Sequence, residues 1–275
     1  MSKKRMEMKI AAIYCVWLDD LELLRHSINN IRPVVDDVIV VYSEKSNYGE
    51  NHRLVPWEPF NATLYRFEPD LSLPAQTNET NKRNVGIQKA RELGFTHFVM
   101  MDADEFYDQN EFEEAKRTID LKHGLVCRSK VYFREPTLTI GYDTTLVPFI
   151  HKLTPNIKCT FNREYPFAWT SEDGKPFTNK KQIRIDPTRS YNLNTGVFWS
   201  EVTMHHMSWV RSDVRIKIRN STAKHNIERS SIVQDYLNAK PGYFCQFYKK
   251  ELTSCPNVFG IPRIIDDYVG KEHPI

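Results

Sequence analysis

Residues 98–106 read Phe98-Val99-Met100-Met101-Asp102-Ala103-Asp104-Glu105-Phe106, an apolar run that stops in two aspartates spaced i, i+2. A short, continuous apolar run is the pattern of a strand buried on both faces, so a chain built around it needs a sheet covered by helices. Side chains two apart on a strand point the same way, and a turn at the strand end converges them further. Two carboxylates aimed at one point repel unless positive charge lies between them. A divalent cation with hard oxygen ligands is the usual answer. In open α/β sheets, ligands bind beyond the carboxyl ends of the strands. The run therefore points to a metal site at a sheet end, placed to hold a diphosphate. Alone, Asp-x-Asp is common as a solvated turn or helix cap; the strand before it and the helix upstream give it weight.

Periodicity supplies the surroundings. Residues 10–18 read as a first buried strand, and Asp19 to Ile31 as a helix with Asp19 or Asp20 as N-cap and Pro33 closing it. Val38 to Tyr42 is a second buried strand and Thr63 to Phe67 a short third one. Asn78 to Leu93 reads as a helix stopped by Gly94, and Thr96 to Met101 as the fourth strand. This β-α-β-β-α-β order predicts an α/β fold with a Rossmann-type, mostly parallel sheet flanked by helices. Beyond Asp104 the pattern changes: a surface helix over 109–120, strands or a hairpin over 125–153, loops around a cleft over 154–195, and an extended segment over Val197 to Trp209. Residues 212–230 read as helical. Neither GxGxxG nor GxxxxGK[ST] occurs, which argues against an ordinary NAD or P-loop ATP site.

Charge and cysteines narrow the class. The net charge is +3, and residues 1–9, with four basic and one acidic residue, account for it. The neutral body argues against sequence-independent nucleic-acid binding. One local exception is 211–229, with six basic and two acidic residues. The five cysteines are scattered, with no C-x-x-C, which argues against a zinc ribbon or a disulfide framework and for the reducing cytoplasm. No stretch has the length of a membrane-spanning helix. The basic start followed by an apolar run resembles a signal peptide, but Tyr14, Trp17 and Asp19-Asp20 fit a first core strand instead.

Ahead of the fourth strand lies Asn81-Lys82-Arg83-Asn84-Val85-Gly86, with basic and amide groups expected in the first helical turns, where free backbone N–H groups attract anions. Far downstream stands Met204-His205-His206-Met207-Ser208-Trp209-Val210-Arg211. In this order, Arg83-Asn84-Val85-Gly86, Asp102-Ala103-Asp104 and the His206 segment resemble family 2 glycosyltransferases of the GT-A fold, with their ARNxG helix, DxD strand and, in one subset, H-x-S-W-V-R segment. The first strand ending at Trp17 and the second ending in Tyr42-Ser43-Glu44 fit as well. The likeness covers roughly 8–110 and 200–226. It implies one GT-A catalytic domain over 1–275, with a nucleotide-sugar-binding half at 8–110 and an acceptor-binding half at 111–275. There is one departure. Where such enzymes carry an Asp-rich turn that reads the base, this chain has Ser43-Glu44-Lys45-Ser46, and Glu44 would substitute.

The resemblance implies a metal-dependent transfer of a sugar from a nucleoside-diphosphate sugar, a UDP-sugar first, to an acceptor hydroxyl. Asp104, His206 and Asp102 become the metal set, with Asp104 as the direct ligand and Asp102 on the ribose or reaching the metal through water. An imidazole ligand favours Mn²⁺ over Mg²⁺. On an extended segment His205 and His206 face opposite ways, so one at most is a ligand, and the spacing to Arg211 selects His206. Trp17, Glu44, Lys82, Arg83, Asn84, Asp102 and Arg211 become donor-binding candidates; Arg215 and Lys217 join Arg211 on a loop able to reach the diphosphate. An inverting enzyme needs a carboxylate base near the acceptor, and Glu172-Asp173 is the candidate pair. The acceptor is a glycan or, in a phage-infected cell, a modified DNA base. A nucleotidyltransferase is the rival, although residues 15–25 lack the glycine its phosphate loop would need. A non-catalytic nucleotide-sugar-binding module is the other.

Overall fold

A computed structural model describes residues 7–17, 21–51, 61–119, 123–161, 184–192, 197–221 and 229–262. At its centre is β1 (Ile10–Trp17), whose eight residues are all buried. It is flanked in parallel by β2 (Asp37–Ser43) on one side and β4 (His97–Met101) on the other, and β3 (Thr63–Arg66) extends the sheet beyond β2. Period-2 alternation sends β1 side chains into two separate cores. Ala12, Tyr14 and Val16 pack with α1 (Leu21–Ile31) and α3 (Gln109–Ile119) through Leu24, Ile28, Phe112 and Ile119. Ala11, Ile13 and Cys15 pack with α2 (Ala75–Glu92) through Ile87 and Ala90. The sheet is therefore covered on both faces, as its apolar strands require.

The second half of the chain continues the same sheet. A hairpin of β6 (Gly124–Phe133) and β7 (Glu135–Lys152) turns at Arg134, whose φ is +66°, and β7 lies antiparallel against β4. Then come β11 (Phe198–Trp209), parallel to β6, and the short β5 (Glu105–Tyr107) antiparallel to β11. The strand order is β3-β2-β1-β4-β7-β6-β11-β5. Two short strands, β9 (Arg184–Ile185) and β14 (Thr253–Ser254), add to β7, so among the described residues five of the nine pairings in this sheet are parallel. Beside it, β8 (Cys159–Thr160) pairs with β10 (Ser190–Tyr191), and β12 (Phe244–Cys245) with β13 (Lys250–Glu251). A third core joins Trp209 to Val214 and Ile218 on α4 (Val214–Asn220) and Ile232 and Tyr236 on α5 (Arg229–Asn238). All five cysteines are free thiols. Among the described residues no helix is long and apolar enough to cross a membrane.

Helix α2 begins three residues before the expected Asn78, with Pro74 as its N-cap. Pro74 pre-sets the entry, and the buried Asn78 amide bonds both backbone groups of Asp70, at 2.9 and 2.8 Å, so the loop ahead is folded onto the first turn. The helix stops as expected: Gly94 has φ +79° and Phe95 N–H reaches back to Ala90 C=O at 3.1 Å. At Gly86 the helix backbone touches the sheet. A Cβ there would lie 2.3 Å from Ile13 Cγ2 and 3.3 Å from Val41 Cγ2. Gly86→Ala should lower unfolding free energy by about 1–3 kcal/mol through overpacking, measured by urea unfolding.

His151 on β7 is fully buried, and neither ring nitrogen has a hydrogen-bond partner among the described residues. Its ring takes the place a side chain would need opposite Gly124, where a Cβ would sit 2.1 Å from His151 Nδ1. Burial, and then the neighbouring His97, push its pKa down to about 3 from 6.5. The unfolded chain thus binds a proton between these values that the folded chain refuses. Stability from this group is present above pH 6.5 and is lost as pH falls, with a slope of up to ~1.4 kcal/mol per pH unit. His151→Leu should flatten the stability curve between pH 6.5 and 5, read by urea midpoints across that window.

Candidate functional site

Strand β4 delivers Asp102 and Asp104 to the carboxyl end of the sheet, and a turn closed by Glu105 N–H to Asp102 C=O (3.2 Å) follows at once. The antiparallel register of β5 and β11 sets His206 opposite Glu105, and Met207 N–H bonds Asp104 C=O at 2.7 Å. Residues a hundred positions apart are thereby locked side by side. His206 Nε2 lies 3.4 Å from Asp104 Oδ1. The other oxygen, Oδ2, accepts from Arg211 Nη2 at 2.9 Å and from Lys217 Nζ at 2.5 Å. Asp104 is 3% exposed. Burial alone would raise its pKa, but Lys217, His206 and Arg211 together hold it well below the ordinary carboxylate range.

Asp102 is paired differently. Its Oδ1 accepts from Arg83 Nη2 at 3.0 Å, and its Oδ2 faces Arg189 Nη2 at 2.8 Å. Against the penalty of burial, Arg83 and then Arg189 bring its pKa to about 2. Arg83 also holds Glu79, one turn earlier on α2, at 2.8 Å. Behind the turn, Glu105 shares the Arg189 guanidinium with Asp102, and burial still raises its pKa to about 6.

These groups border a cleft of about 170 Å³ lined by Trp17, Asn47, Glu79, Lys82, Thr188 and Lys217, besides the two aspartates and Arg83. Of the residues expected at a donor site, the structure brings Trp17, Lys82, Arg83, Asp102 and Asp104 into this lining, with Arg211 and His206 on Asp104 from behind. Lys82 and Arg83 lie in the third turn of α2 because the helix starts early, so no free helix N–H groups accompany them. Both are buried, at 3% and 2% exposed, and are not solvated surface charges. Lys82 Nζ ties the ends of β1 and β2 through Val16 C=O (3.1 Å) and Ser43 Oγ (2.7 Å).

Two candidates lie elsewhere. Asn84 turns from the cleft and clamps the backbone of Cys159, donating to its C=O at 3.0 Å and accepting its N–H at 2.7 Å. Glu44 pairs with Arg66 at 2.8 Å. Glu172 and Asp173 fall outside the described residues. His205 faces away from His206, as strand alternation requires, and its Nδ1 meets Tyr132 Oη at 2.7 Å. Burial and then Lys130 lower its pKa to about 4. Trp209 is packing, with Nε1 bonded to Tyr248 Oη at 2.7 Å.

Arg189, Glu79 and Glu105 were not among the expected site residues. Glu105 had a signal, being a third carboxylate directly behind Asp104. Nothing in spacing ties residue 189 to residue 102.

No protein-family model matches the chain, and no curated protein matches it. Among solved structures it is similar to S. aureus TarS. With TarS 1–349 the identity is 18% over 84% of this chain and 71% of that one, at a TM-score of 0.38. With the same fragment in complex with UDP-GlcNAc it is 17%, covering 84% and 72%, at 0.36. With the longer TarS structure it is 16% over 84% of this chain, at 0.39, and the chain spans 43% of its length.

Asp104 anchors a guanidinium and an ammonium with one buried carboxylate. Asp104→Asn removes the charged oxygen that Arg211 Nη2 and Lys217 Nζ share and should cost about 3 kcal/mol in urea unfolding. Lys217→Met added to that variant should cause little further loss, because the interaction is already gone.

Proposed function

We propose that the chain is a metal-dependent glycosyltransferase that moves a sugar from a nucleoside-diphosphate sugar, a UDP-sugar first, to an acceptor hydroxyl. The observation that carries this reading is the split of the Asp104 carboxylate at the sheet end. Oδ1 sits 3.4 Å from an imidazole nitrogen, and Oδ2 is held by an ammonium and a guanidinium.

Two adjacent ligands of one divalent ion lie about this far apart, so Asp104 and His206 fit as a two-donor edge. Among the described residues no group of three or more His, Cys, Asp or Glu gathers around them, so further positions fall to oxygen ligands from outside. An imidazole in the set favours Mn²⁺ over Mg²⁺. Asp102, both oxygens on arginines, would meet the ribose or a metal-bound water. When bound, such a cation neutralises the charge that develops on the departing diphosphate. The cleft needs that charge: Lys82, Arg83 and Lys217 in its lining are cancelled by Glu79, Asp102 and Asp104.

The chain's own residues do the rest. Lys217, in the cleft lining, sits where a leaving diphosphate gathers negative charge and transfers from Asp104 to a phosphate oxygen, while Arg211 holds Asp104 from behind. Trp17 and Thr188 wall the cleft and restrict water. Glu172 or Asp173 serves as the acceptor base. The acceptor is a glycan hydroxyl; a modified DNA base would instead reveal itself by acceptor affinity that falls steeply with salt through the basic 211–229 stretch.

The test is a thermal-shift and turnover screen with UDP, UDP-GlcNAc and other nucleotide-sugars, with and without Mn²⁺. One donor should raise the melting temperature only with metal, and Asp104→Ala and His206→Ala should lose that response. Stabilisation that is equal without metal would remove the metal from the proposal. No response to any donor would overturn it.

A further inference from the structure

Arg189 belongs to none of the sequence motifs, yet its guanidinium is 1% exposed and lies directly behind the cleft. Nη2 pairs with Asp102 Oδ2 at 2.8 Å and with Glu105 Oε1; Nη1 donates to Met100 C=O at 3.1 Å; Nε faces Asp186 Oδ2 at 3.5 Å. Glu105 Oε2 in turn accepts the Asp102 N–H at 3.0 Å. One side chain thus holds the strand before the turn, the carboxylate that opens it and the carboxylate that closes it.

The support of Arg189 is built as carefully as its contacts. Strand β9 pairs with β7, and Asp186 N–H bonds Leu146 C=O at 3.0 Å. Strand β10 pairs with β8, whose Cys159 backbone is clamped on both sides by Asn84. Adjacent residues on α2 therefore serve one arrangement from two directions: Arg83 grips Asp102 itself, and Asn84 holds the ledge that carries Arg189.

A buried ionic network is a poor device for stability alone, since apolar replacements of equal volume do as well or better. What it provides is orientation. Asp102 keeps 35% of its side chain exposed while both its oxygens are already paired, so the network sets its pose. We infer that Arg189 is a positioning residue for donor binding: it fixes the Asp102 carboxylate for the ligand and makes that pose depend on the 184–191 segment of the second half of the chain. This rests on the reading of the cleft as a nucleoside-diphosphate-sugar site.

The full chain is compared with Arg189→Lys, Arg189→Met, Glu105→Gln and the double variant Arg189→Met/Glu105→Gln, by urea midpoint without ligand and by donor KM and kcat. Arg189→Met should lower the midpoint, and Glu105→Gln added to it should recover most of the loss, because the stranded carboxylate becomes a neutral amide. In the recovered double variant and in Arg189→Lys, donor KM should rise about tenfold while kcat falls far less. A double variant that recovers stability and keeps the wild-type KM overturns the positioning role and leaves Arg189 a purely structural residue. A wild-type chain that binds no nucleotide-sugar overturns both readings, and that failure is distinguishable because it appears before any substitution is made.

Discussion

Two carboxylates end a strand in which no residue is exposed, and their charge is tolerable there only because guanidinium and ammonium groups close around them. Those cations come from separate places: Arg83 from α2, Arg189 from the segment between β9 and β10, Arg211 from the end of β11 and Lys217 from α4. None can reach the sheet end unless its own element is already docked. Neutralising Asp102 and Asp104 therefore ties both halves of the chain to the end of β4, and the cleft forms where these ties converge.

The two aspartates are not equivalent. Asp104 is buried and splits its oxygens between an imidazole and two cations, the division on which the proposed metal and diphosphate roles rest. Asp102 opens to the cleft but is held by arginines on both oxygens. Strand alternation separates the two histidines in the same spirit. His206 joins Asp104, whereas His205 is committed to Tyr132 and kept neutral by burial.

Much of this was legible before any coordinates. The apolar runs at 10–18, 38–42 and 96–101 mark strands because a sheet covered on both faces can bury both sides of a strand. Period alone turned His205 and His206 to opposite sides, the resemblance to the H-x-S-W-V-R segment selected His206, and Gly94 carries its reason locally as a helix stop at positive φ. The errors have equally local causes. Asn84 became a candidate through the resemblance to the ARNxG helix, yet α2 rotates successive residues by about 100°, and its amide meets the Cys159 backbone. Lys82 and Arg83 were placed in the first turns because Pro74 was not read as the helix entry.

The sequence by itself determined the element order of the first hundred residues and the position of the paired carboxylates at a strand end, because these depend on periodicity and on neighbours in the chain; that His206 stands beside Asp104 depends on the register of β5 and β11. The tertiary structure alone decided which cation meets which carboxylate, that Glu44 turns to Arg66, and that Arg189 reaches Asp102. Those pairings are set by strand order and register across separations of up to 113 residues, and electrostatic partners at that range leave no periodic mark on the chain.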